Sequence, residues 1–179
     1  THPVHEVLTC LTNEKELLIE GITLNHYQDY NKSRKSYLPL LELSVKEDPD
    51  DDRNMHYLGR EYMYYKMYDK CIKTLHKHLD MPKATWKDER AASMRYIARS
   101  YLALNYMEEA ILWYHLAINE APYLREGYVE LASLRYSQKE YQDAVDLLNK
   151  AFEIKDKSKS YINETYAWNY YIYDLYVRK

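Results

Sequence analysis

A set of small residues recurs along this chain at fixed distances, and it limits the folds that the chain can adopt. The pattern has three anchors, Gly59, Ala98 and Ala132, which lie 39 and then 34 residues apart. Twelve residues after each anchor the chain again has a small residue: Cys71, Ala110 and Ala144. Sixteen residues after each anchor the chain has a large residue: Leu75, Tyr114 and Leu148. The small positions therefore predict points where two helices cross with their backbones close together, once in every repeat.

The repeat unit fits two antiparallel helices joined by a short turn. Candidate turns lie near Lys66-Met67, Asn105 and Lys139-Glu140. Pro122 ends the second unit, because a proline cannot continue the interior of a helix. The first unit is longer, and its extra residues fall around 82–87, a linker in which insertions cost little. Since one hairpin cannot bury its own apolar face, the units must stack.

The composition agrees with a helical chain. Three glycines and five prolines in 179 residues are few for a sheet-rich protein with many tight turns. The 22 tyrosines suit packed faces that border solvent and suit binding grooves equally well, since a tyrosine buries its ring and keeps its hydroxyl wet. A net charge of -3 argues against a nucleic-acid partner. Two cysteines make no disulfide framework, and no apolar run reaches the roughly 18 residues of a membrane span, which favours a cytoplasmic setting.

The residue types in each copy match a known pattern. The matching residues are Leu58, Gly59 and Tyr62 in the first copy, and Ile97, Ala98, Tyr101, Ala110, Tyr114, Ala117 and Pro122 in the second. This pattern resembles the tetratricopeptide repeat. The resemblance implies an all-α fold, a right-handed superhelix of antiparallel helix pairs. Two positions depart from it: Arg135 stands for a tyrosine in the third copy and His78 for an alanine in the first, where we expect looser contact with the second copy.

The segments that flank the repeats differ from them. The three repeats are predicted at 51–85, 86–122 and 123–156. Residues 31–50 indicate a capping helix followed by a linker. Residues 157–179 indicate a C-terminal helix, as one or two pieces, or the first helix of a truncated fourth repeat. Residues 1–30 alternate apolar and polar side chains, which predicts a short β segment. A two-stranded ribbon is marginal alone, so it needs support from the helices or from residues outside this chain.

The first fifty residues carry a second resemblance. It rests on HPVHEVL from His2, LNHY from Leu24, KSR from Lys32, YLPLLEL from Tyr37 and EDP from Glu47, and continues into NMHYLGREY from Asn54. Together these stretches resemble the junction in bacterial family 2 glycosyltransferases that have tetratricopeptide tails. The resemblance implies that residues 1–30 are the end of a catalytic domain. The chain starts at Thr1 without a methionine and ends in a helix-like pattern, so we expect a longer parent protein.

The glycosyltransferase resemblance also implies cofactors for the parent protein. In that family a His-Glu pair near this point lies beside the nucleotide-sugar site, and its histidine can help hold a divalent metal, Mn or Mg. The pair corresponds to His5 and Glu6. The acidic metal motif and the glycine-rich early strand of the family are absent from this chain, so a surface pair on a strand is the alternative. For these residues alone we expect no cofactor.

Other candidates for chemistry have simpler interpretations. His76 and His78 are two residues apart and point to different faces of a helix, so they are not expected to chelate a metal as a pair. Cys71 fills a small crossing position and is expected to be packed rather than reactive. Residues 50–52 are three aspartates at a helix start, where they cap amide groups. Neither a Ser-His-Asp arrangement nor a glycine-rich phosphate loop nor a CxxC motif is present, and no catalysis is expected from this chain alone.

A groove offers the better candidate site. In a tetratricopeptide superhelix the first helix of each hairpin lines the concave side. This placement predicts a ligand-binding groove that contains Arg53, His56, Arg60, Tyr64, Arg95, Arg99 and Tyr136. Guanidinium groups match carboxylates and phosphates, so we expect an anionic partner, either a protein segment or a phosphorylated or uronic-acid-bearing glycan acceptor. The alternative is internal neutralisation by Glu61, Glu89, Glu126 and Glu130.

Two functions remain open from the sequence. The first is a binding module whose groove docks a protein segment or a glycan acceptor. The second is a part of the glycosyltransferase active unit that transfers sugar from a nucleotide-sugar donor. The two are compatible for a longer protein and differ for this chain, since only the second requires residues that take part in catalysis.

Overall fold

The computed structural model describes Gly21 and residues 37–158 and 160–177. Apart from Gly21, the predicted β segment lies outside these residues, and so does His5. The described part of the chain is all-helical, as expected, and contains eight α-helices. They are α1 (Tyr37–Glu47), α2 (Asp52–Tyr64), α3 (Tyr68–Asp80), α4 (Lys87–Ala103), α5 (Met107–Glu120), α6 (Arg125–Ser137), α7 (Tyr141–Glu153) and α8 (Tyr170–Val177). The helices pack in chain order as the hairpins α2–α3, α4–α5 and α6–α7, with α1 against α2 and α8 against α7.

The three hairpin turns share one backbone geometry. Lys66, Asn105 and Lys139 each have a positive φ, between 59° and 66°. In each turn the amide of the next residue donates to a carbonyl five positions earlier, as from Met67 to Tyr62 at 2.8 Å. This is the Schellman ending of a helix, which satisfies carbonyls that the last turn leaves free. At the start of α2, Asp51 accepts from the Asn54 amide at 2.8 Å, which confirms the predicted acidic cap.

The small residues of the repeat lie where helices cross. All six are buried: Gly59, Cys71, Ala98, Ala110, Ala132 and Ala144. At Gly59 the approach is so close that an added Cβ would lie 2.2 Å from Leu75 Cδ2. Cys71 is fully buried, as predicted, and burial raises the pKa of its thiol to about 11. These contacts explain why small and large side chains alternate along the sequence.

The C-terminal part differs from a simple helix or pair of helices. Only Tyr170–Val177 forms an α-helix, preceded by a 3-10 turn at Thr165–Ala167. The stretch from Ser160 to Trp168, which we call the strap, instead crosses the first helices of the hairpins. Outside the 3-10 turn it is not helical, and its polar groups bond to α4 and α6. α8 then packs on the third repeat, where Phe152 contacts the Tyr176 ring at 5.5 Å.

A helix that crosses a membrane must be both long and apolar. None of the described helices combines the length and the apolar character that crossing a bilayer needs.

Candidate functional site

The candidate site is the surface formed by α2, α4 and α6, which we call the inner face. The strap lies along it. Tyr161 places its ring 5.8 Å from Tyr57 of α2 and its hydroxyl on Glu89 of α4. Further along, the Glu164 amide and the Trp168 indole both donate to a single oxygen of Glu126, at 3.0 and 3.2 Å. The inner face thus already holds a segment of polypeptide that consists of turns and a short 3-10 helix.

Ile162 anchors the strap between these two groups of contacts. Its side chain is 4% exposed and belongs to the apolar core that contains Leu58, Leu75 and Ile97. Burying an aliphatic side chain of this size stabilises by about 2 kcal/mol. The strap is therefore held by one apolar anchor and by several hydrogen bonds to carboxylates.

The centre of the inner face is a network of two arginines and two glutamates. Arg99 of α4 makes two hydrogen bonds to Glu130 of α6, at 2.7 and 2.8 Å, and Arg95 donates to the same carboxylate at 2.6 Å. Glu164 of the strap lies 3.3 Å from Arg99 and 4.0 Å from Arg95. Because forked guanidinium–carboxylate bonds are strong and directional, this network fixes α6 and the strap relative to α4.

The network controls the ionisation of Glu130. Burial disfavours the carboxylate, but Arg99 and Arg95 outweigh it and lower the pKa of Glu130 to about 2. Tyr166 of the strap donates its hydroxyl to Glu130, and burial together with that carboxylate raises the pKa of Tyr166 well above its ordinary value. Glu130 is therefore an anion at neutral pH, and Tyr166 is a neutral donor.

The pKa of Glu130 predicts a loss of stability in acid. Since the folded pKa is below the ordinary 4.5, its contribution is fully present above pH 4.5 and is lost as the pH falls toward 2. The expected contribution is about 3 kcal/mol of unfolding free energy. The free energy of unfolding, measured with urea between pH 5 and 2.5, should therefore fall more steeply with decreasing pH for the wild type than for Glu130→Gln. An equal dependence on pH in the two proteins would show that Arg95 and Arg99 do not lower the pKa of Glu130.

The structure separates the predicted groove residues into two groups. Arg53 and Tyr64 are exposed, and Arg60 and Tyr136 are half-buried. The Arg53 side chain is 61% exposed and lies 3.9 Å from Glu89, and Arg60 stacks over the Tyr57 ring at 4.8 Å. These four remain candidates for contact with a ligand.

Two residues that were predicted to line the open groove, Arg95 and His56, are instead buried. Arg95 is 1% exposed, so it is not available on an open surface. Its charge is neutralised by Glu130, one of the four glutamates that the sequence offered as internal partners of the arginines. His56 is fully buried, because it lies below the inner face and bonds Ser93 Oγ at 2.7 Å. Arg99 is half-buried and faces both Glu130 and the strap.

The sequence did not reveal that the strap belongs to the site. Glu164 and Tyr166 complete the arginine network, and Tyr161 covers Glu89. One signal was available: the stretch after Lys155 is rich in tyrosine and hydroxyl groups but has no regular apolar period. Such a stretch is poorly suited to a packed helix and better suited to bonding along a polar surface.

A cavity of about 640 Å³ adjoins the arginine network. Its walls combine apolar groups of Leu102, Met107 and Leu134 with polar groups of Arg99 and Tyr171. The volume lies in the range of ordinary ligand pockets. An apolar side chain that entered it would have a charged group beside it.

Comparisons with known proteins show which solved structures have a similar architecture. No protein-family model matches the sequence, and no curated protein matches it. Solved structures do match: a crystal structure of MamA has a TM-score of 0.56 at 18% identity, over 73% of this chain and 77% of MamA. The chain has a tetratricopeptide-type fold. Two further MamA structures give TM-scores of 0.52 and 0.53 at 20% and 19% identity, over 65% of this chain and 64% and 61% of theirs.

Proposed function

We propose that this chain is a binding scaffold whose inner face holds an acidic and aromatic segment of a partner protein. The observation that carries the proposal is the strap. It shows the chemistry that the inner face accepts: a tyrosine hydroxyl on Glu89, a glutamate on Arg99 and a buried isoleucine between them. A partner segment with the same groups would replace the strap or extend from it into the neighbouring cavity.

The charge pattern supports an anionic partner. Glu130 already matches one carboxylate to Arg95 and Arg99, and yet the two guanidinium groups also attract Glu164. Two cations therefore face two carboxylates, one of which is supplied by a segment that a partner could replace. At the α2 end of the inner face the half-buried Arg60 and the exposed Arg53 are two further cations, each 3.9 Å from a carboxylate, of Glu61 and Glu89 respectively.

The test uses a labelled peptide with the sequence of residues 160–168 and measures fluorescence anisotropy. The wild type should bind it weakly, because its own strap competes at an effective concentration in the millimolar range. A Tyr161→Ala/Glu164→Ala variant, with a loosened strap, should bind at least about tenfold more tightly, the ratio expected when an internal competitor is removed. Circular dichroism checks that the variant remains helical.

Matched controls make this test specific. In the loosened variant, Arg99→Gln should weaken binding, whereas Arg135→Gln should not, because Arg135 pairs with Glu140 away from the strap. A scrambled peptide that bound equally well would refute a specific groove. A uronic-acid oligosaccharide supplies the same carboxylate, and binding of that sugar without binding of the peptide would replace the protein partner by a glycan acceptor.

We also propose that the scaffold is attached to a bacterial, cytoplasmic glycosyltransferase and helps to place its acceptor. What supports this is the resemblance carried by the first fifty residues, including the His5-Glu6 pair. The alternative, in which this chain takes part in sugar transfer, is tested by incubating it with sugar nucleotides and Mn²⁺. We expect no hydrolysis. Turnover that His5→Ala abolishes would assign catalysis to this chain.

A further inference from the structure

Two histidines and a glutamate meet below the inner face, and the binding of a strap-like segment does not use the ring nitrogens of the histidines. His56 comes from α2, His78 from α3 and Glu89 from α4. The side chains of both histidines are fully buried, and that of Glu89 is 3% exposed. One ligand atom of each residue lies within 4.8 Å of those of the other two. Three different helices from two repeats therefore converge on one point.

The imidazole rings are oriented by a shared hydroxyl. Ser93 Oγ lies 2.7 Å from His56 Nδ1 and 3.0 Å from His78 Nδ1. A hydroxyl oxygen has two lone pairs and can accept from both rings. When both rings donate to this hydroxyl, each carries its proton on Nδ1, and the lone pair of Nε2 is free to bind a metal. Neither Nε2 atom has a hydrogen-bond partner, although both are buried.

Buried nitrogens without partners are costly, and they require an explanation. His78 Nε2 lies 3.4 Å from Glu89 Oε1, the distance of an ion pair but without hydrogen-bond geometry. The other carboxylate oxygen of Glu89 accepts from the Tyr161 hydroxyl. One oxygen of Glu89 thus faces the histidines, and its second oxygen is held by the strap.

We propose that His56, His78 and Glu89 form a Zn²⁺ site, with the two Nε2 atoms and one carboxylate oxygen as ligands. Two imidazoles and a carboxylate suit zinc, and its fourth position is left to water. Zinc bonds of 2.0–2.2 Å imply a spacing of roughly 3.3 Å between ligand atoms. His78 Nε2 and Glu89 Oε1, at 3.4 Å, already have this spacing, and binding an ion requires the His56 ring to bring its Nε2 to the same point. Ser93 and Tyr161 serve as the outer groups that orient the ligands.

A metal at this point would join repeats one and two and fix the strap. His78 occupies the position where the repeat pattern has an alanine, and a metal site would explain why a histidine is present there. The bound ion would also hold Glu89, and through Glu89 the Tyr161 hydroxyl. The proposal does not depend on a peptide partner, since the ligands lie below the inner face.

The test measures metal binding directly. Chelator-treated protein is titrated with Co²⁺, and the visible absorption of a four-coordinate cobalt site is followed; Zn²⁺ is then added to displace it. We expect one equivalent of Co²⁺ to give that spectrum, one equivalent of Zn²⁺ to remove it, and Zn²⁺ to raise the Tm. Ser93→Ala should weaken binding by about 10–100-fold, the usual effect of losing an orienting group.

The controls separate this site from other histidines. His78→Gln and Glu89→Gln should abolish the cobalt spectrum, whereas His76→Gln, an exposed residue on the same helix, should preserve it. His5→Ala should also preserve it. The proposal is overturned if the folded wild type shows no spectrum, or if the spectrum survives in folded His78→Gln or is lost in His5→Ala. Because Glu89→Gln retains the shape of the side chain, it tests the site even if His78→Gln fails to fold.

Discussion

Glu130→Gln is expected to lower the free energy of unfolding by about 3–5 kcal/mol, the cost of leaving a buried charge unpaired. The Arg95 side chain is 1% exposed, and Glu130 is its nearest carboxylate at 2.6 Å. Glu164, at 4.0 Å, replaces only a part of the lost attraction. Urea unfolding followed by circular dichroism measures the change.

Two further variants test the physical reason. Arg95→Met combined with Glu130→Gln should be more stable than Glu130→Gln alone, because it removes the uncompensated cation. Glu140→Gln removes the partner of Arg135 in a pair where Glu140 is 44% exposed, and it should cost less than about 1 kcal/mol. Equal losses for Glu130→Gln and Glu140→Gln would refute the special role of the buried network.

Gly59→Leu is expected to destabilise the protein by about 3 kcal/mol through overpacking. A Cβ at Gly59 would lie 2.2 Å from Leu75 Cδ2, and Leu75 is fully buried, so its shift must displace the core side chains around it. Gly59→Ala should also destabilise, although alanine favours a helix over glycine by about 1 kcal/mol. Thermal and urea unfolding give both values.

Gly127→Ala is the matched control for Gly59. Its Cβ would meet Ile118 Cγ1 at 3.0 Å, and Ile118 is half-buried and can shift. This change should be neutral or stabilising by up to about 1 kcal/mol. In a Leu75→Ala background the penalty of Gly59→Ala should disappear, because the clashing atoms are gone. A Gly59→Ala protein as stable as the wild type would contradict a close crossing at this site.

The groove could be predicted only in part. The spacing of the repeats placed Arg53, Arg60 and Arg99 on the first helices, and these helices do form the inner face. Whether an arginine is free depends on which carboxylate lies opposite, and Glu130 is 31 positions from Arg99 along the chain. The prediction named Glu130 among four possible partners and could not choose among them, because the angle between α4 and α6 is set by packing.

The sequence by itself determined the helical hairpins, their turns and the small residues at their crossings. These features are local or periodic, so residue type and spacing are enough to define them. Only the tertiary structure decided that Glu164 and Tyr166 complete the arginine network and that His56, His78 and Glu89 meet. The physical reason is that these contacts join side chains from separate elements, and their distances depend on how the hairpins stack and where the strap crosses them.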